Sequence, residues 1–163
     1  CMVMMSILEG EYPCDVTCVF TVQEEVGTRG ALMAAYNVES DAAIILEGTS
    51  ANDFGCPDEH MKVCCLHKGV AISFMDRASI GNTKMYARLR ELAIEKEIPW
   101  QIKQYVAGGN DAGPFQMVRG ARPVCVLSVP CRYIHSPSSV AAFEDVEAQY
   151  RLVEAFLDEG GAF

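Results

Sequence analysis

Short apolar runs, each ending in turn-forming residues, recur along the chain and predict the strands of a sheet. Runs of about five to eight residues that are rich in β-branched side chains are typical of strands. They lie at residues 15–22, 42–47, 62–66, 70–75, 101–106 and 124–129. A short turn separates the third run from the fourth, so we expect these two to pair as an antiparallel hairpin.

Segments with apolar residues at every third or fourth position predict helices between these strands. They lie at residues 29–36, 83–97, 111–119 and 139–159. Thr83 is the expected cap of the second, and Gly160-Gly161 the expected end of the last. The opening CMVMMSILE resembles the back half of a helix, so we expect the chain to begin inside a longer protein. Helices alternating with apolar strands predict an α/β fold of three layers, αβα, around a mixed, mostly parallel sheet.

Composition and net charge limit the kinds of molecule and environment that suit this chain. The 163 residues are 50% hydrophobic and carry a net charge of −9, which argues against disorder and against binding to nucleic acid. No apolar run reaches the ~18 residues of a membrane span, and the first ten residues lack the features of a signal peptide. The eight cysteines form no CxxC pair, so we expect reduced thiols and a cytoplasmic protein.

Acidic residues and one histidine follow the predicted strands. Ligands of open α/β sheets bind at the carboxyl ends of strands, so these side chains are candidates for one site. They are Glu24, Glu25, Glu47, Asp76, Asp111 and His135. Solvated acids at a loop edge are the plainer alternative.

Glu24 and Glu25 are adjacent carboxylates, which suits a metal hydrolase because one can hold the ion while the other accepts a proton. His135 precedes Ser136-Pro137 in an extended or turned loop, where an imidazole is either a zinc ligand or an ordinary hydrogen-bonded side chain. In GGNDAG, Asn110 or Asp111 is expected to cap the next helix. His60 and His67 are expected on the surface.

Five segments occur in an order that is similar to one enzyme family. These are FTVQEEVGTRGA, AIILEGTSANDFG, VAISFMDR, AGGNDAG and SVPCRYIHSP. They resemble the cytosolic di-metal aminopeptidases of the glutamyl and tetrahedral-particle type, some of which are called endoglucanases. The resemblance implies a zinc-exopeptidase-like fold, two divalent metal ions (zinc or cobalt), a peptide substrate and a cytoplasmic homo-oligomer.

The resemblance also implies roles for individual residues. Glu24 is the general base that activates the bridging water. Glu25 and His135 ligate one metal ion, and Glu47 ligates the other, at a position where many members of the family carry Asp. Asp111 lies near the substrate.

Three features of the family are not found in these 163 residues: the His-x-Asp metal-binding segment, the bridging aspartate and the inserted oligomerisation domain. We therefore expect residues 1–163 to be the C-terminal part of a metallo-aminopeptidase catalytic domain. We also expect this chain by itself to bind metal weakly and to be inactive, because a zinc ion takes about four ligands. Two alternatives are a glycosidase that uses Glu24 and Glu47 as its carboxylate pair and a non-catalytic binding domain.

Overall fold

The computed structural model describes residues 1–55, 58–106 and 108–163. These described residues form five helices and five strands, together with one 3-10 turn at Glu59–Met61. In chain order they are α1 Met2–Leu8, α2 Arg29–Asn37, β1 Ala43–Ser50, β2 Val70–Ser73, α3 Thr83–Glu95, β3 Trp100–Ile102, α4 Ala112–Met117, β4 Val124–Arg132, β5 Val140–Ala141 and α5 Phe143–Asp158. Cys56, one of the eight cysteines expected to be reduced, lies outside the described residues.

The strands form one mixed sheet in the order β1-β4-β2-β3, with β5 added to β4. Parallel ladders join β1 to β4 over eight residue pairs and β2 to β3 over three. Antiparallel ladders join β2 to β4 over three pairs and β4 to β5 over two. Most paired residues therefore lie in parallel ladders, and the predicted α/β class is confirmed.

Alternate residues of β4 show the three layers, because neighbouring residues of a strand point to opposite faces. Cys125 and Leu127 belong to a large core cluster with α1, α3 and α5. Val124 and Val126 belong to a smaller cluster with α2 and α4. Helices thus cover both faces of the central strand, which explains why its sequence is apolar without alternation.

The hairpin predicted from residues 62–66 is wrong. The amide of Cys65 donates to Oε1 of Gln101 and its carbonyl accepts from Nε2 of the same residue, both at 2.8 Å. The amide of Leu66 donates to Oδ2 of Asp53 at 3.0 Å. Because side chains bind these backbone groups, residues 62–66 pair with no strand in the described part of the chain, and β2 pairs with β3 and β4 instead.

The strand predicted at residues 15–22 is also absent from the sheet. The segment alternates between half-buried and exposed positions from residue 11 to residue 18, as a strand would. It pairs with no other described strand, although its apolar side chains Val16 and Cys18 pack against the larger core cluster.

Smaller differences concern the ends of helices. Asn82 caps α3 in place of Thr83, because its Oδ1 accepts hydrogen bonds from the amides of Lys84 and Met85, each at 3.1 Å. Helix α5 begins four residues later than predicted because Val140–Ala141 pair with β4. Among the described residues, no helix has the length and apolar character needed to cross a membrane.

Candidate metal centre

Glu24 and Glu25 lie in a tight turn between residues 15–22 and α2. The carbonyl of Glu24 accepts hydrogen bonds from the amides of Gly27 and Thr28, at 3.1 and 2.9 Å. Gln23 and Thr28 adopt left-handed backbone conformations, with φ of 59° and 51°. Side chains adopt this region at a cost of ~1–2 kcal/mol, and such strain clusters at functional sites. The turn therefore holds both acids in a fixed place beside the start of α2.

His135 lies in a second strained loop, which follows β4. Tyr133 and His135 have φ of 59° and 61°. The hydroxyl of Ser136 contacts two carbonyls of this loop, those of Tyr133 at 2.5 Å and Ser138 at 2.8 Å. These contacts stabilise the turn from which the imidazole projects.

The two strained loops meet through Glu25 and His135. Oε1 of Glu25 lies 3.0 Å from Nε2 of His135, and both side chains are exposed, by 71% and 67%. Burial raises the pKa of Glu24, and the negative charges of Glu25 and Asp111 raise it further, whereas His135 lowers it. Glu24, Glu25, Asp111 and His135 therefore form one electrostatic group.

Glu47 lies in β1, directly opposite Ser128 of β4. Burial raises the pKa of Glu47 to about 7. The Lys103 ammonium opposes this rise, Glu24 and Asp76 add to it, and the Ser128 hydroxyl, which contacts Oε1 of Glu47 at 3.4 Å, opposes it. Glu47 therefore lies within electrostatic reach of Glu24.

Asp111 is positioned by Thr21, whose hydroxyl donates to Oδ2 at 2.6 Å. The other carboxylate oxygen, Oδ1, is buried and has no hydrogen-bond partner among the described residues. Oδ1 of Asn110 accepts from the amide of Ala112 at 2.9 Å, so Asn110, and not Asp111, caps the first turn of α4 with its side chain.

Asp76 is a structural residue rather than a free acid of the site. Its carboxylate accepts from the amides of Ala78 and Ser79, both at 2.7 Å, and from the hydroxyl of Ser79 at 2.8 Å. Nδ2 of Asn110 also donates to it, at 2.6 Å. Asp76 therefore has a structural role, its charge also acts on Glu47, and its place at the ligand-binding edge stays a prediction.

Lys103 and Thr21 are the residues of this region that sequence reasoning missed. Lys103 follows β3 and is only 8% exposed, so its charge acts on Glu47 from within the protein. A lysine inside the apolar run QIKQYV is the signal that was available. His60 and His67 are exposed, as predicted, and Nδ1 of His67 lies 3.8 Å from Oε2 of Glu144.

The donor chemistry of the Glu25–His135 pair suits a divalent metal ion, because carboxylate oxygen and imidazole nitrogen are common zinc ligands. Within the described residues, no three His, Cys, Asp or Glu side chains are close enough together to hold an ion. The structure therefore brings together two of the three predicted ligands, Glu25 and His135, and leaves Glu47 nearby without direct contact to them.

Comparisons with known proteins identify relatives of this chain in sequence and in fold. The lysyl aminopeptidase of Pyrococcus furiosus is 34% identical over 92% of this chain and 42% of its own length. An aminopeptidase from the archaeon Desulfurococcus kamchatkensis superposes with a TM-score of 0.92 at 32% identity, over 96% of this chain and 45% of that one. The TET1 peptidase of Pyrococcus horikoshii, which can assemble into a tetrahedron or a large octahedral shell, gives 0.68 at 30% identity, over 86% and 40%.

These relatives are much longer than the chain, which spans less than half the length of each. The family model described as M42 glutamyl aminopeptidase matches residues 1–152, which is nearly the whole sequence. The chain therefore belongs to the M42 glutamyl aminopeptidase family.

Proposed function

We propose that residues 1–163 form the C-terminal part of the catalytic domain of a metal-dependent aminopeptidase, which removes N-terminal residues from peptides. The 3.0 Å contact between Glu25 and His135 carries the proposal, because it joins a carboxylate and an imidazole on two strained loops that are distant in sequence. Membership of the M42 family supports the same activity.

The proposed roles follow the chemistry of each side chain. Glu25 and His135 hold one divalent ion, and Glu47 contributes a carboxylate to a second. Zinc or cobalt suits this combination of ligands, since imidazole and carboxylate bind both. When bound, such ions supply positive charge that polarises the scissile carbonyl and makes water more acidic.

Glu24 is the proposed general base. Burial and the neighbouring acids raise its pKa, and a carboxylate with a raised pKa is a stronger base near neutral pH. It accepts a proton from the attacking water and returns that proton to the leaving amine. Asp111 lies near the substrate, as a member of the acidic group whose charge raises the pKa of Glu24.

The isolated chain is expected to be an incomplete enzyme. Fewer than three candidate ligands converge among the described residues, whereas a zinc site uses about four. The proposal therefore includes weak metal binding and no catalysis by these 163 residues alone. For the complete protein it includes a cytoplasmic location. It also includes a homo-oligomer, which the shell formed by the Pyrococcus horikoshii TET1 peptidase supports.

A glycosidase that uses Glu24 and Glu47 as its acid pair receives less support. Sugar-binding clefts use aromatic side chains, and the single tryptophan, Trp100, packs under the guanidinium of Arg90 at 5.2 Å. Hydrolysis of a glucan by this chain that persists after treatment with a chelator would favour that alternative over the peptidase.

Calorimetric titration of zinc into the chelator-treated chain tests the proposal. We expect weak binding that falls about tenfold or more in Glu25→Gln and in His135→Asn, because each variant loses one of the two converged donors. His67→Asn is the matched control. His67 is also an exposed histidine with a left-handed backbone (φ 59°) beside a glutamate, so its loss should leave zinc affinity unchanged.

The possible results test the metal centre and the incompleteness of its ligand set separately. Equal zinc affinity in the His135→Asn and His67→Asn variants contradicts the assignment of His135 as a ligand and, with it, the metal centre. Tight binding of two ions by the unmodified chain contradicts the expectation that its ligand set is incomplete.

A further inference from the structure

Helix α2 turns its small residues toward the core and its large apolar residues toward solvent. Ala31 and Ala35, four positions apart, are fully buried in the smaller core cluster. Leu32, Met33 and Tyr36 point away from that cluster and are exposed by 47%, 61% and 59%. A surface helix normally buries its large apolar side chains, so the order is reversed in α2.

The middle of α2 carries no charge. Residues 30–38, GALMAAYNV, contain no acidic or basic side chain. A helix that is apolar all round is typical of an element that is covered on every side. Exposed apolar side chains that are grouped together, in contrast to those scattered singly, mark sites of association. The outer side of α2 therefore has the character of an interface.

The neighbouring end of α4 extends this outer side. The guanidinium of Arg119 lies over the ring of Tyr36 at 5.1 Å, and its Nη1 lies 3.3 Å from Oε1 of Glu39. Met117, the last residue of α4, is also exposed. Methionine, tyrosine and arginine are enriched at protein–protein interfaces, and acidic residues are depleted from their centres. The surface around Tyr36 has this composition, with Glu39 at its rim.

The two ends of α2 carry opposite charges. Arg29 is its first residue, Glu39 follows its last residue by two positions, and both side chains are exposed. The helix dipole adds partial positive charge at the start and partial negative charge at the end. Two copies of α2 in antiparallel contact would therefore place Arg29 of each copy beside Glu39 of the other. A face that is complementary to itself meets the requirement of a two-fold interface.

We propose that two copies of the chain associate through this face, which consists of Leu32, Met33, Tyr36, Met117 and Arg119. The two α2 helices pack in antiparallel orientation about a two-fold axis near Met33, the middle residue of α2. Apolar contact at the axis provides affinity, and the Arg29–Glu39 pairs at both ends fix the orientation.

A second copy suits this face better than a membrane or an unrelated protein. Anionic lipid surfaces repel Glu39, Asp41 and a chain with a net charge of −9. An unrelated protein would need the matching charges at both ends of an apolar surface, whereas a second copy supplies them by symmetry. The contact needs neither metal nor catalysis, so it can fail while the proposed metal centre stands, and the reverse.

Sedimentation velocity of the metal-free chain tests the proposal. We expect a monomer–dimer equilibrium with a dissociation constant of about 1–100 μM, as for a small and transient interface. Met33→Glu should weaken the association about tenfold or more, because a carboxylate at the axis would be buried without a partner. Ile94→Glu is the matched control, since Ile94 is 63% exposed on α3 and lies outside the face. It should leave the dissociation constant unchanged.

Reversal of the end charges tests the antiparallel orientation. Arg29→Glu and Glu39→Arg each place like charges together at both ends of the dimer, so each variant alone should associate about tenfold more weakly at low salt. In an equal mixture, the two variants should bind each other about as tightly as the unmodified chain binds itself, because every end then holds one acid and one arginine.

Three results would overturn the proposal. The first is a chain that remains monomeric up to about 200 μM, well above the expected range of dissociation constants. The second is equal weakening by Met33→Glu and Ile94→Glu, which would assign the association to another surface. The third is a mixture of the two charge variants that associates no more tightly than either variant alone, which would contradict the antiparallel contact.

Discussion

The hydroxyl of Thr21 donates to Oδ2 of Asp111 at 2.6 Å and ties the segment before Glu24 to the start of α4. This is the only hydrogen bond that Asp111 accepts through its side chain among the described residues, because Oδ1 has no partner. The contact therefore helps to fix the positions of the Asp111 carboxylate and of the turn that carries Glu24.

Thr21→Val removes that hydroxyl and leaves a partly buried carboxylate without a donor. Losing one partner of such a bond costs about 1–3 kcal/mol, so we expect the free energy of unfolding to fall by that amount. Urea denaturation at pH 7 measures it. Thr21→Ser retains the hydroxyl and should recover most of the loss. A free energy of unfolding in Thr21→Val equal to that of the unmodified chain would contradict this contribution of the hydrogen bond.

The ion pair between Asp53 and Arg132 predicts a dependence of stability on pH. Nε of Arg132 lies 2.7 Å from Oδ1 of Asp53, and the Asp53 side chain is only 9% exposed. The hydrogen bond from Arg132 lowers the pKa of Asp53 below its usual value of 3.8, with help from the amide of Leu66. A carboxyl whose folded pKa is lowered stabilises the fold above its unfolded pKa, and this contribution disappears as the pH falls through the lowered value.

Asp53→Asn should therefore lower the free energy of unfolding by about 1–3 kcal/mol at pH 7, and this difference from the unmodified chain should shrink as the pH falls below 3.8. Thermal denaturation between pH 2 and pH 7 measures both effects. Glu39→Gln is the control, because Glu39 makes an exposed ion pair with Arg119 that contributes little. A constant difference between Asp53→Asn and the unmodified chain at every pH contradicts the assignment.

Sequence patterns predicted β4 and α5, because the spacing of their apolar residues records which side chains pack against the core. Strand β4 was recognisable because its run from Val124 to Val129 is buried on both faces, and α5 because its apolar residues recur every three or four positions. The same reasoning failed at residues 15–22. An alternating pattern records which side chains face a core, and it is identical whether or not a partner strand lies alongside.

Sequence reasoning predicted part of the candidate site, and each residue that it selected or missed has its own physical explanation. The strand-end rule selected Glu24, Glu25 and His135, but the contact between Glu25 and His135 is a tertiary fact that residue spacing does not contain. The same rule included Asp76, since a sequence does not show that Ser79 and Asn110 will occupy its oxygens. Lys103 escaped notice because a lysine is rarely buried without a compensating acid such as Glu47.

Gly69 occupies a position at which a side chain is excluded by both conformation and space. Its φ is +84°, and an added Cβ would lie 1.9 Å from the carbonyl oxygen of Pro99. Gly120 is a matched control with φ of +88° and no described heavy atom within 4 Å of an added Cβ. Gly120→Ala should cost about 1–2 kcal/mol of unfolding free energy from conformation alone.

Gly69→Ala should cost more than Gly120→Ala, because the backbone of Pro99 must also move and the ladder between β2 and β3 begins there. Chemical denaturation of the two variants measures the difference between their free energies of unfolding. A Gly69→Ala chain that does not fold at all would also agree with the larger cost expected for this variant. Equal losses in the two variants would show that the approach of Gly69 to Pro99 relaxes at no cost.

The exposure of the Glu25–His135 pair leads to a prediction that separates function from folding. Both side chains are more than two-thirds exposed, at 71% and 67%, and exposed ion pairs contribute about 0–1 kcal/mol to stability. His135→Asn should therefore change the free energy of unfolding of the metal-free chain by less than about 1 kcal/mol, since asparagine also tolerates the left-handed backbone. Urea denaturation in the presence of a chelator measures it, with His67→Asn as the reference for loss of an exposed, left-handed histidine. If the metal-free His135→Asn chain loses much more free energy of unfolding than His67→Asn, the imidazole stabilises the loop. Reduced zinc binding by His135→Asn would then result from a damaged loop and not from a missing ligand.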